Sequence, residues 1–330
     1  MWKGRNFRFG IDLGTCSTLF YEQGKGIVLQ EPSLVAVRKD NGEIAAVGAE
    51  AQAMVGRTSA SLEIVSPLQD GVIADLPMTL AMLRHFAKKM GKSRGPLRFV
   101  QRPEYVISVP CFIDPVKRRA VEVTMMQMGA RKVTTVEGPL AAAMGSGMPV
   151  EEPVGSMVID IGGGVSQAAI VSLGGIVVSH TVSKGGVSID ESIVDFVKHA
   201  YNLVIGRRTA EAIKHTIGSA VEPEPEEKME IRGRSMVNGL PQSMTLHARE
   251  IYKLFEDFVK GIIDAIRVCL ERCPPELVGD IMMRGIMLSG GGSLLRGLDR
   301  RLQAETDVPM FVADRPLECI AIGAGKLLGE

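Results

Sequence analysis

Residues 7–21, FRFGIDLGTCSTLFY, place apolar side chains at Phe7, Phe9 and Ile11, meet Asp12, turn at Gly14 and resume an apolar run from Thr18 to Tyr21. Residues 156–175, SMVIDIGGGVSQAAIVSLGG, repeat the pattern. Met157 to Ile161 carries Asp160 near its end, three glycines follow, and a second run spans Ala168 to Val171. Each stretch reads as strand, glycine turn, strand. The copies lie about 148 residues apart, which suits two similar lobes and not a short-period solenoid. A length of 330 residues agrees, because it exceeds what one core ordinarily holds. No low-complexity tract separates the copies, so the boundary near Glu151 reads as a hinge.

Helices are expected between these hairpins. MTLAMLRHFAKKMG sets Leu80, Leu83, Ala87 and Met90 on one face and stops at Gly91. Asp114 and Pro115 open a helix running to Gly129, as cap and first helical residue. GPLAAAMGSG and LECIAIGAGKLLG are helices of small residues; they suit either a close crossing between lobes or ordinary tight packing. The acidic stretch Val221–Lys228 reads as an exposed loop. One long amphipathic helix is expected from Ala248 to Cys273, stopped by Pro274 and Pro275. GIMLSGGGSLLRGL then reads as a strand, a glycine run and a helix starting directly after Gly292.

Apolar residues make up 45% and charged residues 23%, a folded-protein composition. The formal net charge is zero, so bulk electrostatics does not suggest a nucleic-acid binder. No apolar run reaches membrane-spanning length, and MWKGRNFRFG lacks the apolar stretch of a secretory signal. Cys16, Cys111, Cys269, Cys273 and Cys319 form no CxxC pair, so neither structural zinc nor disulfides are expected. Cys269 and Cys273, one helical turn apart, read as packing residues.

Three strand ends thus carry glycine turns: Asp12 to Thr15, Asp160 to Gly164, and Gly290 to Gly292. Peptide N–H groups bared by glycine surround a phosphate well, because no Cβ blocks the approach and each N–H carries partial positive charge. A helix beginning at Gly292 would add its free N–H groups. Carboxylates repel phosphate, but Asp12 and Asp160 can hold Mg²⁺ through waters, and the ion then bridges to phosphate oxygens. A Walker A loop and a GxGxxG fingerprint are both missing from the sequence.

These motifs resemble the two phosphate motifs and the adenosine motif of the actin, Hsp70 and sugar-kinase superfamily. Within it, EPSLVAV, PLQDGVIAD, GSMVIDIGGG, YNLVIGRRTAEAIKHTIGSA and PPELVGDIMMRGIMLSGGGSLLRGLD resemble the bacterial actin family MreB/Mbl, over nearly the whole chain from Gly10 to Leu328. The resemblance implies an α/β, actin-like (ribonuclease H-like) two-lobed ATPase fold with four subdomains, and ATP with Mg²⁺ in the cleft. Lobe I would span residues 1–150, with a subdomain IB near 31–75, completed by 315–330. Lobe II would span 151–314, with IIB near 186–246. Nucleotide contacts would come from Gly14, Thr15, Cys16 and Ser17, from Gly162, Gly163 and Gly164, and from Gly290, Gly291, Gly292 and Ser293. Glu211 and Lys214 would face the adenosine, and Asp12 and Asp160 the metal.

Two departures from the family pattern bear on hydrolysis. The family has a glutamate directly before the proline of its EEP motif, a residue associated with orienting the attacking water; here Val136-Glu137-Gly138-Pro139 puts glycine there. After the second glycine turn, Val165-Ser166-Gln167 replaces the usual Thr-Thr-Glu. Nucleotide binding with slow hydrolysis is expected, or hydrolysis through Glu137 after a local shift.

Around KKMGKSRGPLRFVQRP, basic residues surround Leu97 and Phe99, a pattern suited to shallow insertion into anionic lipid. The resemblance supports this, since the family carries an apolar membrane loop in the region. It also implies a cytoplasmic protein, peripheral at the inner face of the cytoplasmic membrane. Its partners would be further copies of itself in filaments, as paired protofilaments in the family manner, together with cell-wall elongation membrane proteins. Alternatives are a non-hydrolysing paralogue that co-assembles with another MreB, a monomeric phosphotransferase of the superfamily, or an Hsp70-like chaperone. The chain is short for a sugar kinase, and no chaperone-like substrate domain follows in this sequence.

Overall fold

The computed structural model describes residues 7–91, 102–111 and 113–329. The chain opens as an antiparallel meander, β1 (Arg8–Leu13), β2 (Ser17–Glu22) and β3 (Gly26–Pro32). A small insertion follows, with β4 (Val35–Arg38), β5 (Ile44–Val47), helix α1 (Ala49–Met54) and β6 (Leu62–Val65), its strands ordered β5-β4-β6. A two-residue ladder joins β7 (Leu68–Gln69) to β8 (Val72–Ile73). Then come α2 (Leu76–Gly91), β9 (Glu104–Val109), α3 (Pro115–Gln127), β10 (Lys132–Glu137) and α4 (Gly138–Gly145). Strands β9 and β10 add to the meander in parallel, giving the order β10-β9-β1-β2-β3.

The second half repeats this plan. Its meander is β11 (Ser156–Ile161), β12 (Ser166–Ser172) and β13 (Gly175–Val182). Helix α5 (Gly186–Tyr201), β14 (Leu203–Val204), α6 (Arg207–Ile217), β15 (Lys228–Ser235) and β16 (Pro241–His247) build the second insertion, with a β14-β15-β16 sheet. Helices α7 (Ala248–Tyr252), α8 (Glu256–Arg272) and α9 (Pro275–Arg284) lead to β17 (Ile286–Ser289), then α10 (Leu298–Thr306) and β18 (Met310–Val312). Parallel β17 and β18 complete the order β13-β12-β11-β17-β18, matching the first sheet strand for strand.

The helix that closes the fold, α11 (Cys319–Lys326), returns to the first half and packs on β1, β2 and β9. Its other side meets α4, which in turn lies on β11 and β12. The two small-residue helices therefore form the crossing between the sheets. A Cβ on Gly323 would collide with the Ala141 carbonyl, and one on Gly145 with the Cys319 carbonyl. Each half has its own apolar core. Ile11, Phe20, Leu83, Phe86 and Ile107 centre the first, and Ile159, Ile193, Ile213, Phe255 and Ile266 the second.

Several local expectations need adjusting. In α2 the buried face runs through Thr79, Met82, Leu83, Phe86 and Met90, while Leu80 and Ala87 sit at its margin. The expected helix from Ala248 to Cys273 is interrupted by a 3₁₀ turn at Lys253–Phe255 that buries Phe255. No α-helix starts at Gly292; a 3₁₀ turn, Gly291–Leu294, comes first, and α10 waits until after Gly297, at φ +72°. Asp114 caps α3 as its sequence suggests, its carboxylate accepting from the Val116 N–H at 2.7 Å.

Candidate nucleotide cleft

The acidic strand ends come together because the two meanders point their first turns at each other. Asp12, next to last in β1, accepts a 3.1 Å hydrogen bond from Ser108 Oγ on β9; Asp160, next to last in β11, accepts one of 2.9 Å from Ser289 Oγ on β17. Each carboxylate is thus steadied by a serine on the adjacent parallel strand. Burial pushes the Asp12 carboxyl up from 3.8 to about 7, helped by the nearby negative charge of Asp160 and opposed by the Ser108 hydrogen bond. Asp160 rises to about 6, again through burial, with Ser289 opposing. Two buried acids side by side demand either protons or a cation.

The turns interlock around them. Gly14 N–H donates to the Ser17 carbonyl at 3.1 Å, and Gly162 N–H to the Val165 carbonyl at 2.9 Å. Thr15 Oγ1 accepts from Gly71 N–H at 3.0 Å, which ties the first turn to the β7–β8 turn. A side chain at Gly163 would collide with Cys16, so the two turns approach as closely as glycine permits. The peptide N–H groups of Thr15, Cys16, Gly163 and Gly164 have no acceptor among the described residues. The third turn needs Gly290 at φ +77°, where its N–H bonds the Pro316 carbonyl.

These groups line a cleft of about 570 Å³, the size range of small-molecule sites. The structure brings Asp12, Gly14, Thr15, Cys16, Ser17, Asp160, Gly162, Gly163, Gly164, Glu211, Lys214, Gly290, Gly291 and Gly292 to its wall. Ser293 is not among the lining residues; it is buried, with its hydroxyl on the Gly290 carbonyl at 2.7 Å. With α10 starting only at Leu298, the expected α-helical N-terminus at the third turn is replaced by a single 3₁₀ turn.

Glu137 also stands off. It caps the end of β10 and accepts from Arg118 Nη2 at 3.0 Å, while its neighbour Gly138 lines the cleft. Adjacent residues at a strand end face apart, and the arginine holds Glu137 on the far side. Ser166 likewise turns away, donating to the Lys184 carbonyl at 2.8 Å. Leu97 and Phe99 lie outside the described residues. Of the basic residues beside them, Lys89 pairs with buried Glu31.

Other lining residues escaped the sequence patterns. Lys214 is held by Asp190 Oδ1 at 2.8 Å and by the Gly186 carbonyl at 3.0 Å, a half-hidden ion pair between α6 and α5. Asp190 carried no sequence signal beyond its place in an amphipathic helix. Ser108 is visible only once β9 is set beside β1, and the place of Gln167 opposite Asp160 only once β12 is set beside β11.

Two matching sheets with a crossing helix pair, and a cleft between them floored by paired aspartates and glycine turns, define an actin-like fold. Comparison with known proteins agrees. The profile of the MreB/Mbl protein family matches residues 6–330, and the chain belongs to that family. It is 46% identical over 322 residues to the cell shape-determining protein MreB of Escherichia coli K12, covering 96% of this chain and 92% of that one. It is 43% identical over 319 residues to the cell shape-determining protein Mbl of Bacillus subtilis 168, covering 97% and 95%. The crystal structure of MreB5 of Spiroplasma citri bound to ADP superposes with a TM-score of 0.91 at 35% identity, covering 98% of this chain and 96% of that one.

Proposed function

We propose that this chain binds Mg-ATP in the cleft and assembles into membrane-attached filaments that organise cell-wall synthesis and rod shape. The observation that carries the nucleotide reading is the pair of interlocked turns whose peptide N–H groups lack acceptors, set beside two buried carboxylates. Peptide amides suit phosphate oxygens, and Asp12 and Asp160 suit a hard cation. No set of three or more metal-ligating side chains occurs among the described residues. The donors therefore fit an ion whose remaining ligands are waters and phosphate oxygens, as Mg²⁺ prefers. When bound, such an ion supplies charge neutralisation for the phosphates and for both acids. The relative from Spiroplasma citri is described bound to ADP and, in a second structure, to AMPPNP.

The shape-determining role rests on the relatives' names, and filament assembly and the inner-membrane location rest on the family resemblance. No helix among the described residues is long and apolar enough to cross a membrane. Membrane attachment is assigned to the basic stretch carrying Leu97 and Phe99, at about 1 kcal/mol per basic residue near an anionic surface, multiplied by avidity along a filament. Partners would be further copies in paired protofilaments and membrane proteins of cell-wall elongation. Glycine at 138, with Glu137 held by Arg118, makes hydrolysis slow. The same observation favours a second reading, a weakly hydrolysing paralogue that co-assembles with another MreB.

Electron microscopy of the purified chain with ATP and anionic liposomes tests the first reading, for which membrane-bound paired filaments are expected. Their absence, alone and with a second MreB added, would overturn both readings. Calorimetry with Mg-ATP tests the cleft separately.

A further inference from the structure

We infer that the loop joining α3 to β10, residues 126–132, is a second lipid-contact point, which meets the phosphates of an anionic bilayer beside the stretch carrying Leu97 and Phe99. The inference rests on the proposal of membrane attachment and extends it to a separate loop. Strands β1, β9 and β10 run parallel, and Arg8, Glu104 and Lys132 stand in register at their N-terminal ends. The opposite ends of β1 and β9 bring Asp12 and Ser108 to the cleft. With six residues in β9, the two edges of this sheet lie about 17 Å apart. Arg102 and Pro103 lead directly into β9, so the segment holding Leu97 and Phe99 joins the fold at the edge away from the cleft.

Residues 126–132 arrive at that same edge, because they connect the end of α3 to the start of β10. The loop offers one apolar side chain and two cations to solvent. Met126 is 50% exposed in the last turn of α3. Gly129 turns the backbone at φ +87°, and Arg131 and Lys132 follow, both exposed. The Arg131 N–H donates to the Pro103 carbonyl at 2.8 Å, which ties this loop to the chain entering β9. Acids at the edge are already covered. Glu104 is bridged by Arg8 Nε at 3.1 Å and by Arg131 Nη2 at 2.6 Å, and Glu22 pairs with Lys25 at 3.0 Å. Two arginines on one carboxylate leave a surplus positive charge. Arg102 and Lys132, without ion-pair partners among the described residues, add to it. A half-exposed methionine set among cations suits the bilayer interface, where the thioether enters the acyl boundary and the cations meet phosphate. Continuity with the basic, apolar stretch that precedes β9 favours lipid over a second copy of the chain.

The test is co-sedimentation of the full chain with phosphatidylglycerol vesicles in Mg-ATP, with affinity for AMPPNP measured by calorimetry as a check on the fold. Met126→Gln combined with Lys132→Gln should weaken vesicle binding about ten-fold or more, since each lost contact is multiplied along a filament. AMPPNP affinity should change by less than about two-fold, because the loop and the cleft lie at opposite edges of the sheet. Hydrogen exchange on the parent chain gives a readout free of substitution: amides of residues 126–132 should slow with phosphatidylglycerol vesicles and not with phosphatidylcholine vesicles. Unchanged vesicle binding in the double variant, with the parent bound, would overturn the inference and leave attachment through Leu97 and Phe99 standing. Slowing of residues 126–132 by Mg-ATP without lipid would assign the loop to a second copy and also overturn it. If AMPPNP affinity is lost in the variant, exchange in the parent chain decides, and equal exchange with both lipids would overturn the inference. A parent chain that ignores phosphatidylglycerol vesicles altogether removes membrane attachment itself, and the inference with it.

Discussion

Asp12 and Asp160 show how one residue type serves two ends. Burial raises both carboxyls, so between about pH 4 and pH 7 the folded chain keeps protons that an unfolded chain has released. Their contribution to the stability of the ligand-free protein is therefore fully present below about pH 4 and is lost as pH climbs through 6 and 7. Urea midpoints measured from pH 5 to about pH 7.5 should fall more steeply for the parent chain than for Asp160→Asn, which removes one titration and the repulsion on the other acid. Equal slopes would show that the two acids are not buried together. Binding of Mg-ATP needs both groups ionised, so at about pH 6.5 it should release protons, seen as a dependence of calorimetric heat on buffer ionisation enthalpy.

At the scale of elements, the crossing of α4 and α11 is set by what is missing from the helices. With carbonyls where any Cβ would stand, Gly323→Val must push the pair apart. The expected cost is about 1–3 kcal/mol or more, read as a lower urea midpoint. An unchanged midpoint would mean that the crossing is loose. Both helices, the two acidic hairpins and the Asp114 cap were legible in the sequence, because glycine placement, alternation and capping are local signals. The break at Lys253–Phe255 was not, because apolar spacing continues through it and only the packing of Phe255 decides it. The delayed start of α10 depends on the left-handed Gly297, which spacing alone does not reveal. The site divides the same way. The glycine turns and acids are local patterns, whereas Asp190–Lys214, Ser108–Asp12 and Arg118–Glu137 are pairings made by tertiary structure.

For the whole molecule, the cleft draws its walls from both sheets, so a ligand that touches both should hold the halves together as one unfolding unit. Saturating Mg-ATP or Mg-AMPPNP should raise the melting temperature, and a ligand at about 100 times its Kd should add about 2.7 kcal/mol of stability. Excess chelator should reverse most of that gain if the ion links the acids to the phosphates. A melting temperature indifferent to both additions would show that nucleotide does not span the halves.

The return of α11 to the first sheet also orders events at the ribosome. Strands β1, β2 and β9 are made early, yet the helix that covers them comes from residues 319–326, after every strand of the second half. The first half therefore waits, partly uncovered, while the second is synthesised, and it closes only when that late helix emerges from the exit tunnel.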